Sequence, residues 1–411
     1  DYSIYANPVG SAAPVLIQNY IYNNPQTLPN FIDEINETVD FMELFANQFG
    51  PYPFADEKYG HCMAPLGGGM EHQTMTTQGF FEKTLTAHEL AHQWWGNNVT
   101  CASWCDIWIN EGFASYSEYL MLAALYPGQQ VNHMTQVHQN VMSQAGGSVW
   151  VLDSLNEARI FNGRLSYDKG AGIIHSLRYL IQNDGLFFGA LQDFQNTFAD
   201  STATGLDFKN HVANYCNIDL DSYFEQWYFG EGFPTYQVKY NQVGTDLLLE
   251  ISHTASMPNV TPIFTNPVTL KLSRQGQSDT LVRFAITSNS EFFTISNYGT
   301  LVGTIGIDPS NWLINGNAGV SFDPTLNVKE EGMDQKVALL PYPNPSSDFI
   351  QILQQQESIT YELYAANGKL LQVGGLAPGQ KIDVRTLKKG SYILLLMNAN
   401  QMKTTKLVTI N

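Results

Sequence analysis

Positive charge is scarce in this chain. Its 411 residues hold 20 Lys and Arg against 38 Asp and Glu, a formal net charge of −18. A nucleic-acid or anionic-membrane partner is therefore not expected, because a phosphate surface is bound by excess Lys and Arg. Charged residues of both signs together make up only 14%, which argues against long disordered tails. Long apolar runs are also lacking. The longest, such as YILLLM at 392–397, are far too short to span a bilayer, so no transmembrane segment is expected. Cysteine is sparse: Cys62, Cys101, Cys105 and Cys216, none of them in a CxxC pair. That excludes a zinc ribbon or a thioredoxin motif. An even count fits an exported protein with at least one disulfide, the pairing left open. An initiating Met and a charged-then-apolar leader are missing at Asp1, so the chain reads as a processed or truncated product.

What is present suffices for two or three domains, with 44% apolar residues to fill their cores. Residues 30–230 carry helical periodicity. In NFIDEINETVDFMELFANQFG, Ile35, Val39, Met42, Phe45 and Phe49 form one apolar stripe that ends at Gly50-Pro51. Further helices are expected around 84–95, 107–125, 168–183 and 208–230. From 235 to about 320 the period changes to two: YQVKYNQVG, DLLLEISHT, VTLKLSRQG and TLVRFAITS read as short strands of a β-sandwich. Residues 323–340 are polar and lack a period, as a linker would. Strands resume in 341–411 with Asn-Gly and Gly turns, a second, small β-sandwich.

Residues 84–96, TLTAHELAHQWWG, place His88 and His92 four apart on a helix, hence on one face, where both imidazoles can reach one ion. Glu89 points elsewhere around the helix, toward a water rather than into the same ligand set. Two hydrogen-bonded core histidines would read the same way, so a third ligand decides. Eighteen residues intervene between His92 and Glu111, which lies in a second helical stretch, DIWINEGFASYSEYL. Three protein ligands with one open position is what a catalytic zinc needs. His175 sits in the apolar GIIHSLRYL and reads as a satisfied packing residue. His61, His133, His138, His211 and His253 lack ligand spacing.

HELAHQWWGN followed by NEGFASY resembles the zinc aminopeptidases of the aminopeptidase N type, gluzincins with HExxH, eighteen residues and Glu. GGGMEHQT at 67–74 resembles the family's exopeptidase motif, SYDKGAGIIHSLR at 166–178 its tyrosine motif, and PYPFADEKYG at 51–60 the segment before the catalytic core. The resemblance covers 30 to about 320. It implies a multidomain α + β chain: a mostly α-helical, thermolysin-like catalytic domain at 1–233, a β-sandwich at 234–322, the linker at 323–340, and the C-terminal sandwich at 341–411. It reads the first thirty or so residues as the remnant of a missing N-terminal β domain.

The resemblance also implies roles. One Zn2+ per chain would be held by His88, His92 and Glu111. Glu89 would be the general base and Tyr167 the donor to the oxyanion. Glu71 would bind the substrate's free α-amine, while Gly68, Gly69 and Met70 offer a strand edge to a peptide. His72 stands where the family has Asn, which bears on strict aminopeptidase activity. A zinc endopeptidase on the same scaffold is the alternative, and a catalytically silent binding module the alternative of another class. The latter has no need of Glu89 and Tyr167.

The tail has its own resemblance. A YPNP opening, a Gly-Lys turn, LxxGxY and a lysine-containing last strand resemble the C-terminal sorting domain of the bacterial type IX secretion system. This implies the secretion machinery as a partner and export across a Gram-negative outer membrane. An ordinary carbohydrate-binding or fibronectin-like module is the alternative.

Overall fold

The structure, a computed structural model, describes residues 1–327, 340–342, 346–353, 358–365, 369–397 and 403–410. The chain divides into two units, Asp1–Asn327 and Val328–Asn411.

The first unit opens with a five-stranded sheet. Its strands are β1 (Tyr2–Ala6), β2 (Val15–Tyr20), β3 (Tyr59–Met63), β4 (Gly69–Met70) and β5 (Thr76–Gln78), in the order β1-β2-β3-β5-β4. The first residues thus pair into the same sheet as β3, β5 and β4. Ala6, Val15 and Ile17 lie in the unit's main core, and β2 runs parallel to β3. Short alternating strands on a sheet edge carry little sequence signal, which is why the sequence does not announce this placement.

Helix α1 (Thr27–Phe49) buries Ile35, Met42, Phe45 and Phe49, the stripe seen in the sequence, and stops where Gly50 takes φ 102°. Further helices follow: α2 (Lys83–Ala91), α3 (Trp108–Leu125), α4 (Gln129–Met142), α5 (Glu157–Ile160), α6 (Gly170–Ile181), α7 (Asp184–Thr197), α8 (Gly205–Cys216) and α9 (Asp221–Phe224). The stretch read as one helix at 208–230 is broken. Asn217 adopts the left-handed conformation, φ 52°, and caps α8. The chain then re-enters helix through α9 and a π-helical turn at Glu225–Phe229. Helices α4 and α7 add to those expected from the sequence. β6 (Val99–Cys101) and β7 (Ser201–Ala203) form a small parallel pair.

Two more sheets complete this unit. One has the order β12-β9-β8-β14, with β8 (Pro234–Val243), β9 (Asp246–Ala255), β12 (Ser290–Ile295) and β14 (Gly316–Phe322); the other runs β11-β10-β13, with β10 (Val268–Leu272), β11 (Thr280–Phe284) and β13 (Gly306–Ile307). Val238, Leu249 and Ile251 from one share a core with Val268, Leu270 and Phe284 from the other. The segment after β13 reaches into the helices. Trp312 stacks on His175 with ring centroids 4.4 Å apart, and a Cβ on Gly172 would meet Ile314 Cδ1 at 2.6 Å. His175 is therefore held by an aromatic face from the following sheets.

Residues 323–327, assigned on sequence to the linker, are held by the first unit. Asp323 donates its N–H to the Tyr240 carbonyl, and Asn241 Nδ2 donates to that of Leu326, whose side chain is buried. The rest of that stretch, 328–339, lies outside the described residues. All four cysteines are free thiols. The expected disulfide is not formed; Cys101 and Cys216 are buried singly, on β6 and at the end of α8.

The second unit has two sheets, β15-β16-β19 and β18-β17-β20-β21. Their strands are β15 (Leu340–Tyr342), β16 (Phe349–Leu353), β17 (Ile359–Ala365), β18 (Leu370–Leu376), β19 (Lys381–Asp383), β20 (Gly390–Met397) and β21 (Lys403–Ile410). Ile350, Ile352, Leu363, Ile382, Leu394 and Leu396 make its core. Most of the YPNP opening and the Asn-Gly turn, at 343–345 and 366–368, lie outside the described residues.

Candidate metal and peptide site

Helix α2 starts at a cap: the Glu82 carboxylate accepts from the N–H groups of Thr84 and Leu85, which satisfies two donors of the first turn. It ends at His92, and the two tryptophans after it are buried. Trp95 stacks on Phe113 of α3, centroids 3.7 Å apart and 7° from parallel. That contact ties the end of the HExxH segment to the helix carrying Glu111.

The three expected ligands converge. Glu111 Oε2 lies 3.4 Å from His88 Nε2 and 3.3 Å from His92 Nε2. These distances are long for a charge-assisted hydrogen bond, which spans about 2.7–2.9 Å. They equal the edge, about 3.3–3.4 Å, of a tetrahedron whose ligands stand 2.0–2.1 Å from one zinc. The outer nitrogens fix the tautomers. His88 Nδ1 lies 2.9 Å from Glu118 Oε1, and His92 Nδ1 lies 2.9 Å from the Trp95 carbonyl oxygen. The carbonyl can only accept, as can an ionised carboxylate, so both Nδ1 atoms donate and both Nε2 lone pairs face Glu111. Burial penalises a charged imidazole here, yet Glu111 and Glu118 outweigh it at His88, and Glu111 with Glu71 at His92. The field of the pocket favours positive charge. The residues present fit a divalent cation.

Glu89 is buried, and its Oε2 has no hydrogen-bond partner among the described residues. Burial lifts its carboxyl to about 7; His92 and His88 oppose the shift and Glu71 and Glu111 add to it. Glu71, Glu89 and His92 bring their polar atoms within 4.8 Å of one another. A Cβ on Gly69 would lie 2.3 Å from Glu89 Oε1, so glycine lets the backbone pass this carboxylate closely.

Tyr167 lies on a π-helical segment, Gly163–Lys169, leading into α6. Its ring is 11° from parallel with that of His88, centroids 6.0 Å apart. Burial, then Glu111 and Glu71, push the phenol well above its usual range, so it stays a neutral donor. Three basic side chains tie this region to neighbouring backbone carbonyls. Arg159 donates to the carbonyls of Ser148 and Trp150, Arg164 to those of Val141 and Gly146, and buried Lys169 to those of Gly147 and Gly230.

A cleft of about 550 Å3 joins these groups. Its walls include Gly69, Met70, Glu71, His88, Glu89, His92, Glu111 and Tyr167. Gly68 and His72 do not line it. His72 is exposed, and its Nδ1 pairs with Thr77 Oγ1 at 3.0 Å, bracing the β4–β5 hairpin. β4 is the edge strand of its sheet, with one side free of strand partners among the described residues. The loop after it is clamped by the metal segment: Asn97 Nδ2 donates to the Glu71 carbonyl, and Gln93 Oε1 accepts from the Thr74 N–H, both at 2.8 Å. Sequence reasoning missed Thr84, Leu85, Glu118 and Phe161 in the cleft wall. Glu118 had a signal, since it falls two helical turns after Glu111 and so on the same face. Phe161 had none.

Residues 34–227 match the peptidase family M1 domain, and residues 341–411 match the secretion system C-terminal sorting domain. Along the chain, the match to the M1 peptidase domain is thus followed by the match to a sorting domain. Among curated proteins it is similar to aminopeptidase N of Bos taurus, 34% identical over 61% of this chain and 30% of that protein. It is likewise similar to aminopeptidase N of Mus musculus, 32% identical over 38% of this chain and 18% of that one. In fold it is similar to aminopeptidase A of Legionella pneumophila, solved in complex with aspartic acid, with a TM-score of 0.65 at 15% identity. That likeness covers 77% of this chain and 38% of the other, so the chain spans well under half the length of these relatives.

Proposed function

We propose that this chain is a secreted zinc aminopeptidase that removes N-terminal residues from peptides. One observation carries the reading: three convergent ligand atoms with their tautomers fixed from behind, and the Glu71 carboxylate beside the orphaned Glu89 oxygen. Zinc bound by His88, His92 and Glu111 would supply Lewis acidity and bring the pKa of a water toward about 7.

The chain's own groups do the rest. Glu89 takes the proton of the attacking water and delivers it to the leaving amine. Its Oε2 is available for this because no group among the described residues hydrogen-bonds to it. Tyr167 donates its O–H to the oxygen that gains charge at the scissile carbonyl. Glu71 receives the substrate ammonium, which leaves room for one residue before the scissile bond. The free edge of β4 pairs with the extended peptide backbone.

The sorting domain supports export, and we read the route as type IX secretion, ending at the cell surface or outside. No helix among the described residues is long and apolar enough to cross a membrane.

The test compares free and N-acetylated peptides with the full-length protein, with and without a chelator. One charge-assisted contact to an ammonium contributes about 1.5–3 kcal/mol, so free peptides should be preferred about ten- to a hundred-fold. Equal cleavage of both would replace this reading with an endopeptidase.

A further inference from the structure

Lysine is rarely found as deep as Lys169, which is 1% exposed. It stands two residues after Tyr167, at the end of the π-helical turn Gly163–Lys169. Its Nζ donates to the Gly147 carbonyl at 2.8 Å and to the Gly230 carbonyl at 3.3 Å. The segments carrying these two acceptors are themselves tied together, because Glu231 Oε2 accepts from the Gly147 N–H at 2.8 Å. The Glu231 N–H in turn donates to Thr261 Oγ1, in the chain between β9 and β10. Lys169 thus fastens the turn to a closed frame, made by the loop after α4 and the chain that enters the sheets.

The rest of the turn shows what this frame serves. A π-helical turn is rare, frequent at functional sites, and persists where its surroundings hold it. Here the other polar side chains of the turn are committed to the scaffold. Arg164 donates to the carbonyls of Val141 and Gly146, Ser166 Oγ donates to that of Ile160, and the Asp168 carboxylate accepts from Asn140 Nδ2. Tyr167 is the exception: its side chain lines the active cleft, with its ring facing that of His88. Arg164 and Asp168 are only partly buried, whereas Lys169 lies wholly inside and grips both parts of the frame at once. On the aminopeptidase reading, on which this inference rests, Tyr167 donates to the oxygen that gains charge. We propose that Lys169 is a positioning residue for that step, acting through Tyr167 by holding the turn that aims the phenol. Without its amine, two carbonyls lose their donor, and the turn is released toward ordinary α-helix, which rotates residue 167 about the axis.

The test is a double-mutant cycle on kcat in full-length, zinc-loaded protein with a free-amine peptide as substrate. Lys169→Met should lower kcat about ten- to a hundred-fold, the scale of a misplaced reacting group, with KM and zinc content unchanged. Lys169→Gln, which keeps an N–H donor, should recover part of that loss. In the Tyr167→Phe background Lys169→Met should lower kcat hardly further, since the group it positions is already gone. Undiminished kcat in Lys169→Met, or the same loss with and without the Tyr167 hydroxyl, would overturn the proposal. Where Lys169→Met does not fold, the same cycle on Lys169→Gln decides. Hydrogen exchange gives a readout without turnover: either variant should lose protection at 163–169 and keep it in α2 and α3, and unchanged protection at 163–169 would count against the proposal as decisively. Full kcat in Tyr167→Phe would sink the role of Tyr167 and this proposal with it. Equal cutting of free and N-acetylated peptides would sink only the aminopeptidase reading, and the cycle would then be read with the peptides that are cut.

Discussion

Gly112 and Gly170 meet backbone to backbone where α3 crosses the start of α6. A Cβ on Gly112 would lie 2.9 Å from the Gly170 Cα, and one on Gly170 would lie 2.8 Å from the Gly112 Cα. The first follows Glu111 directly and the second comes three residues after Tyr167, so this contact sets the spacing of ligand and phenol. Gly112→Ala or Gly170→Ala should cost about 1–3 kcal/mol of stability through overpacking. Either should also lower kcat more than it raises KM. Thermal melts with steady-state kinetics check both; a stability loss with kcat intact would show that the crossing does not position Tyr167.

Glu118 should govern metal affinity. It accepts from His88 Nδ1, and partners behind a ligating histidine typically contribute about 10- to 100-fold in affinity. Glu118→Gln should weaken zinc binding by that order in competition with a chelator, measured without reference to turnover.

Glu89→Gln should keep zinc and lose nearly all activity, since the amide keeps the shape and cannot take the proton. Tyr167→Phe should lower kcat by about 10²–10³, the scale of one lost oxyanion donor. Zinc content and single-turnover rates separate the two effects. An effect of Tyr167→Phe confined to KM would speak for uniform binding instead.

Lys169 predicts a pH dependence of stability. Complete burial lowers its pKa from 10.5 to about 7, with Arg164 adding to the shift. The unfolded chain then holds one more proton than the folded one between about pH 7 and 10.5. Stability rises with pH across that window, by up to about 1.4 kcal/mol per unit. Denaturation of wild type against Lys169→Met from pH 7.5 to 9.5 should show this slope only in wild type.

The sheets after residue 233 should not be separable from the helices. Besides the Trp312–His175 stack, Tyr179 Oη pairs with Thr269 Oγ1 at 2.6 Å, and Arg283 donates to the Tyr179 carbonyl. A chain ending at Asn327 should stay soluble and bind zinc; one ending at Phe233 should not. Soluble, zinc-binding material from the shorter chain would refute the coupling.

The sequence made the ligand set legible because each part of it is local. His88 and His92 share a helix face, and Glu111 starts the next strong helix. Glu118 needed the α2–α3 crossing to be recognised, although its two-turn spacing from Glu111 was visible. Phe161 carries no local pattern, and its place in the cleft wall follows only from the fold. Helix α4 was hidden by its composition: QQVNHMTQVHQNVM is largely polar, and only Met134, Val137, His138 and Val141 face inward. The break at Asn217 was missed because left-handed asparagine looks like any other helical residue until its φ is known.

The clamps from Gln93 and Asn97 onto the loop of Glu71 make the site a ruler. On the proposed reading, the residue that receives a substrate's amine and the segment that closes the HExxH helix are joined by two hydrogen bonds across a few residues of chain, so they would shift together. The length removed at each cut would then be set by the protein and not by the substrate. Digestion of a long peptide should yield a ladder whose rungs differ by single residues. Loosening the ruler with Gln93→Ala and Asn97→Ala together should blur the ladder with two-residue steps.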